Sequence, residues 1–350
     1  MIAGRPETRA GNFSMSTIAL RTSLAPINAK KSYYSKAFNQ FVANRDIIAA
    51  RLEDQYRHLH YPSSGFLSQS AMAGKPYDAA NGAVNKNSAD VLIPAFLAAY
   101  TGKSAIHSPL DIFPGFLSML PNWSVSYDGL SKLPAFKKHF KSFSLNHAYN
   151  CTYNVSSFGS YNTFVSAGEG NLGFVQDVLS GNPVPSSQFD IAGVSITESF
   201  SPLIGAKATL KNGMTMKAEV QTGRTMNLSV TGGQLVESGN QRYVLGGSYK
   251  VVDFHPWGIL ANSKVKNDFS ITADFSLKNS TALLRKIEEQ YTQATSGNKT
   301  CTVEIMGDYV ISKNLNFKVF YDLESSIPLV SSYPVTTQNF GVSLRFTLSR

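Results

Sequence analysis

Only two of the 350 residues are cysteine, Cys151 and Cys301, which excludes a disulfide scaffold and any Cys-rich zinc module. Long apolar runs are missing as well. No stretch of about 18 apolar residues exists, so a transmembrane helix is excluded. Charge is scarce, at 16% against roughly 25% in soluble domains, with a net excess of +9. The basic residues are dispersed among acids and form no stripe interleaved with aromatics, so nucleic acid is not an expected partner. Met1–Arg9 holds no apolar signal-peptide core. Taken literally, that start predicts a cytoplasmic chain or a piece of something longer. Aromatics are plentiful instead (22 Phe, 16 Tyr), and so apolar a chain does not stay disordered.

Residues 1–140 read as an irregular region of loop and helix with one or two strands, serving as cover or plug. Asn12–Arg21 is a candidate strand. Lys36–Leu52 spaces Phe38, Phe41, Val42, Ile48 and Leu52 as a helix does, with Arg45, Asp46 and Arg51 elsewhere around it. Asp90–Tyr100 reads as a short helix interrupted by Pro94, and prolines 109, 114, 121 and 134 keep the chain beyond it from forming long elements.

Residues 141–350 change character and alternate with period two, the signature of antiparallel strands. The first such run is Phe143–Val155. Later ones are Ile204–Leu210, Met214–Val220, Met226–Val230, Tyr243–Val251, Phe269–Leu277, Cys301–Tyr309, Leu315–Tyr321 and Phe340–Leu348. Lys211-Asn212-Gly213 predicts a type I′ hairpin turn, and Thr222-Gly223 a second turn. In the last eight runs the phase fixed by apolar residues carries no charge. The interleaved phase carries Lys207, Lys217, Glu219, Arg242, Lys250, Asp268, Asp274, Glu304, Asp308, Lys318, Asp322 and Arg345, and Glu198 is the one residue that threatens the pattern.

A soluble sandwich alternates too, but three features favour a membrane barrel. The strands are long enough for a tilted crossing, tyrosines cluster on the apolar phase, and that phase tolerates no charge. The predicted fold is therefore all-β, the C-terminal strands of a very large antiparallel transmembrane barrel. Leu228, Tyr243, Tyr249, Phe269, Ile271, Phe275, Val303, Tyr309, Phe317 and Tyr321 would face lipid, and the charged set would face a polar lumen. Phe340, Val342, Leu344, Phe346 and Leu348 form the closing strand. Backbone edges cannot stay unpaired in lipid, so these strands must close on further ones.

Two motifs invite chemistry and fail. Gly168-Glu-Gly-Asn-Leu-Gly173, with Asp190 downstream, matches a dinucleotide fingerprint but lacks an adequate following helix. Gly102-Lys103-Ser104 ends like a phosphate-binding loop, but Leu97 stands where its first glycine belongs. His58 and His60 lack further ligands at metal spacing, and no G-x-S-x-G occurs. Cys151 and Cys301 fall on the apolar phase and read as lipid-facing thiols. No enzyme activity, cofactor or metal is expected.

The stretches Asn87–Gly102 (Asn-Ser-Ala-Asp-Val-Leu-Ile-Pro-Ala-Phe-Leu-Ala-Ala-Tyr-Thr-Gly) and Leu120–Pro134 (Leu-Pro-Asn-Trp-Ser-Val-Ser-Tyr-Asp-Gly-Leu-Ser-Lys-Leu-Pro) carry a resemblance. With Phe189–Gly205, Thr295–Asp322 and Tyr333–Ser349, they resemble the C-terminal region of the SprA/Sov family. That family forms the gliding-motility and type IX secretion translocon in the outer membrane of Bacteroidota. The resemblance runs from about Asn12 to the end, and members are far longer, which implies a C-terminal fragment or split frame. It further implies a wide protein-export barrel working with a PorV-type shuttle, a periplasmic plug protein and secreted cargo. The rival expectations are an independent small porin, a barrel enzyme such as a lipase, and a soluble β-rich surface adhesin.

Overall fold

The computed structural model describes residues 9–23, 32–168, 171–254, 267–312, 314–330 and 333–347. Antiparallel sheet dominates, with 55% strand against 18% helix, which places the chain in the β class. In chain order the strands are β1 (Ala10–Ser16), β2 (Trp123–Tyr127), β3 (Phe140–Ser160), β4 (Val165–Ser166), β5 (Gly173–Gln176), β6 (Pro183–Ser186), β7 (Phe189–Leu210), β8 (Thr215–Ser229), β9 (Gln234–Phe254), β10 (Asn267–Lys286), β11 (Tyr291–Ser312), β12 (Leu315–Pro328) and β13 (Val335–Phe346). The helices are α1 (Leu20–Ser23), α2 (Lys36–Tyr56), α3 (Ala89–Thr101) and α4 (Pro134–Lys137).

Ten strands make one sheet in the order β1-β3-β7-β8-β9-β10-β11-β12-β13, with β2 also on β3, while β4, β5 and β6 form a small second sheet. β1 lies along Thr152–Gly159 of β3, and β2 lies along Leu145–Tyr149 of the same edge. The two are therefore halves of one interrupted edge strand. The Leu120 N–H donates to the Ser16 carbonyl across the break at 3.4 Å. The described residues between them, 17–23 and 32–122, leave the sheet at mid-height and return. No pairing joins β13 to β1 or β2 among the described residues, so the sheet is open.

The insertion folds as a helical cap. α2 is started by Ser35, whose Oγ accepts from the Phe38 N–H at 3.2 Å. It buries Phe38, Phe41, Arg45, Ile48, Leu52 and Tyr56 at i, i+3, i+4 spacing. Arg45 is thus on the packed side, reaching Asn87 and Glu288 rather than solvent. α3 runs through Pro94 unbroken. Val91 to Phe96 and Ala98 to Tyr100 are all buried, and packing on every side outweighs the one backbone bond that proline forfeits. Gly102, at φ +70°, ends α3 in the left-handed conformation, which is why a glycine stands there. A second small core, Tyr56, Tyr61, Leu67, Tyr77 and Phe174, binds β5 to the cap, so part of residues 141–350 belongs with it. Gly173 opens a strand, not a helix.

A cavity of about 540 Å³ between α2, α3 and β6 is lined by Arg51, His58, Asp90 and Asp111 among others. Burial pushes the Asp90 carboxyl above the usual carboxylate range, although its Oδ2 accepts from the Ser187 N–H at 2.9 Å. Between the unfolded value near ~3.9 and the raised one, the folded state holds a proton that the unfolded chain has released. Stability must fall as pH rises from that value to the raised one, and stay lower above it. Asp90→Asn keeps an acceptor for Ser187 and carries no charge. Its denaturation midpoint is expected to lose that slope, and an unchanged slope would show that another group titrates.

Two sequence expectations about strands are corrected. Thr222-Gly223 is not a turn: β8 runs straight through it, and the chain reverses at Thr231–Gly233 instead. At Lys211-Asn212-Gly213 the chain does reverse, but only Gly213 has positive φ (+87°), so the turn is not type I′. β12 and β13 are also longer than their apolar runs, pairing as far as Ser326 with Val335. Leu348 lies outside the described residues.

Candidate functional site

Cross-strand partners share a face, and the registers resolve the large sheet into two faces of opposite character. One face carries Ile204, Ala206 and Ala208 on β7, Met216, Ala218 and Val220 on β8, and Tyr243–Val251 in alternate positions on β9. It continues as Phe269–Leu277, Cys301–Tyr309, Phe317–Leu323 and Phe340–Phe346, each in alternate positions. None of these positions is charged. Ile204, Tyr243, Leu245, Tyr249, Ile271, Phe275, Ile305, Phe340, Val342, Leu344 and Phe346 are exposed. So large a continuous apolar surface is not what a solvated monomer presents.

This belt has borders. Below it, Trp123, Tyr149, Phe200, Thr222, Gln241, Asn279 and Lys299 are successive neighbours in a single row. From Thr222 onward that row is polar. Near the other end, Phe269, Tyr309 and Phe317 form an aromatic row. Tyr243–Val251 spans about 26 Å of strand at ~3.3 Å per residue.

Beneath the polar row the same face changes partner. Tyr149, Cys151, Tyr153, Val155, Val194, Ile196, Met226, Leu228 and Leu235 are buried against the cap. Thr197 and Asn227, behind them, stay exposed. The expectations for Leu228 and Cys151 are thereby corrected: Leu228 is 2% exposed and covered by this chain, as is the Cys151 thiol. Tyr309 keeps its place in the belt but is 6% exposed, its ring met edge-on by Phe254. Among the described residues the cap core packs on the face that carries the belt.

Two buried ion pairs lock that seat. Glu198 accepts from Arg224 Nε at 2.7 Å and from the Tyr149 hydroxyl at 2.5 Å. Arg224 spends its other donors on the Ala19 and Thr22 carbonyls and the Thr22 hydroxyl, at 2.7–3.1 Å. Glu237 pairs with Arg285 at 2.7 Å, and Arg285 Nη1 donates to the Tyr33 carbonyl, with its guanidinium over the Phe38 ring. Sequence reading finds only Glu198, as an irregularity. Arg224, Glu237 and Arg285 fall outside the apolar runs, and Leu284–Glu289 reads as exposed loop. Arg285 and Ile287 are in fact buried.

The opposite face gathers Lys207, Lys217, Glu219, Arg242, Lys250, Asp268, Asp274, Glu304, Asp308, Lys318, Asp322 and Arg345. One row across it reads Lys207, Lys217, Gly246, Asp274, Glu304, Asp322, Asn339. The lysines stand at one side and three carboxylates at the other. Gly246 is the clearing in the middle: Lys217 reaches over it to Asp274 at 2.8 Å, and a Cβ there would lie 2.1 Å from Asp274 Oδ1. Gly246→Ala is expected to separate the pair at a cost of ~1 kcal/mol or less, as befits a half-exposed ion pair. The cost should vanish in a Lys217→Ala/Asp274→Ala background, as read by denaturant midpoints. A cost that persists would mean that backbone freedom, not the clearing, selects glycine.

His147 sits on the apolar phase, with Nδ1 2.6 Å from the Leu203 carbonyl, and His60 forms only an isolated bridge with Pro76. Among the described residues no group of three His, Cys, Asp or Glu is placed to hold a metal ion. No family model and no curated protein matches the chain.

Proposed function

We propose that this chain is part of the wall of a large outer-membrane β-barrel that exports proteins. The observation that carries the reading is the uncharged belt, backed by a face that holds the charged residues of the same strand segments. The belt meets lipid, and the charged face lines a wet lumen. At the level of the belt the sheet edges are β2 and β13, and both need partners in lipid, which argues for further strands on either side. The resemblance to SprA/Sov supports type IX secretion and gliding as the setting, with a PorV-type shuttle, a periplasmic plug protein and secreted cargo as partners. Within that reading the cap is an external collar at the membrane surface. The chain works as a conduit and uses no cofactor.

Removing Val335–Phe346 from the parent barrel should strip β12 of its partner and abolish assembly, with cargo lost from the cell surface. Trimming 329–334 should be tolerated. The measurement is barrel abundance in detergent-extracted outer membranes beside secreted cargo. Protein that washes off without detergent would instead mark a soluble adhesin, and conductance from the 350 residues alone would mark an independent porin.

A further inference from the structure

The cap presents a segment that its own fold does not use. Phe116 is 81% and Leu117 100% exposed, and Met119 and Leu120 are exposed with them. The segment is ordered: a short 3-10 turn holds Phe116–Ser118, and the Ser118 hydroxyl bonds the Gly115 carbonyl at 2.6 Å. It is tied to the sheet through the Leu120 N–H on Ser16 and runs within three residues into Trp123. Trp123 belongs to the border row, and the next belt positions on this edge, Val125 and Tyr127, are exposed apolar residues too.

The chemistry selects the occupant. From Ile112 to Tyr127 the chain carries no charged side chain, with Asp111 and Asp128 closing the stretch on either side. A protein partner is commonly engaged through a polar rim around an apolar centre. A stretch that mixes Phe, Leu, Met, Trp and Tyr with serines and no charge matches a membrane interface better. Its level matches as well, because it leaves the wall where the belt ends. We propose that Phe116–Leu120 is a lipid anchor of the cap, inserted into the membrane surface beside the wall. The inference rests on the belt being lipid-facing and adds that the cap itself holds the membrane.

The test places one cysteine at a time at Leu117, at Leu245 in the belt or at Glu304 on the charged face, in a Cys301→Ser background that keeps only the buried Cys151. The parent barrel carrying each one is labelled with a polarity-sensitive fluorophore and reconstituted in phosphatidylcholine/phosphatidylglycerol vesicles containing doxyl lipids. Quenching at 117 and 245 at least twofold above that at 304 is the expected result. Quenching at 245 with none at 117 overturns the anchor and leaves the belt intact, whether the loop is then in water or under protein. No quenching at either overturns both. As a second measurement, Phe116→Ser/Leu117→Ser should lower cap protection against protease in vesicles but not in detergent micelles. Equal protection in both overturns the anchor.

Discussion

Glu198→Ala should destabilise the junction of cap and sheet by about 3–5 kcal/mol, because it leaves Arg224 charged and buried without its counter-ion. Glu198 is 1% exposed, and the Tyr149 hydroxyl loses its acceptor in the same change. The loss should show as a lower denaturation midpoint in detergent and as early proteolysis of the cap. Glu198→Leu combined with Arg224→Met removes both charges together, so it should recover much of the loss, since desolvation of the pair offsets most of its attraction. A double variant as weak as the single would show that the Arg224 bonds to Ala19 and Thr22 hold the cap, with the carboxylate incidental.

Ile271→Arg should block membrane assembly, at a cost of up to about 2–4 kcal/mol, the range for arginine in a lipid-facing band. Thr272→Arg, one residue away on the charged face, should be accepted. Leu228→Arg makes a separating control. It too is severe, but for a different reason, since it buries a charge between sheet and cap. In a detergent-solubilised sample the Ile271 variant should regain stability and the Leu228 variant should not. Equal recovery, or equal tolerance of arginine at 271 and 272, would refute the lipid assignment.

The period-two pattern makes the belt and its charged reverse legible, because each strand there has one apolar and one wet neighbour along its whole height. Legibility stops at one physical line. The apolar runs end at Val220, Tyr243, Leu277 and Cys301, and each of these sits one step above Thr222, Gln241, Asn279 and Lys299. Beyond that row the same face packs against helices and accepts Arg224, Glu237 and Arg285. Strand that continues there reads as turn or loop. The expected two-residue turn at Thr222 and exposed loop at Leu284 are both products of this change of partner. The unbroken α3 escapes sequence reading for a related reason: local proline chemistry argues for a break, and only tertiary burial overrides it. The ion-pair seat is hidden from the sequence, since each pair joins strands by register and not by sequence spacing.

The interrupted edge strand has a kinetic consequence. Ser14 bonds Asn154 across 140 positions, whereas β3 to β13 are added largely by short reversals. Local hairpins close early and distant pairings late. The edge on β3 is therefore the last to form, and its two halves come into line only after the inserted cap has brought its ends together. A cap that folds slowly would hold that edge open, giving any neighbouring strand time to pair with β3 first.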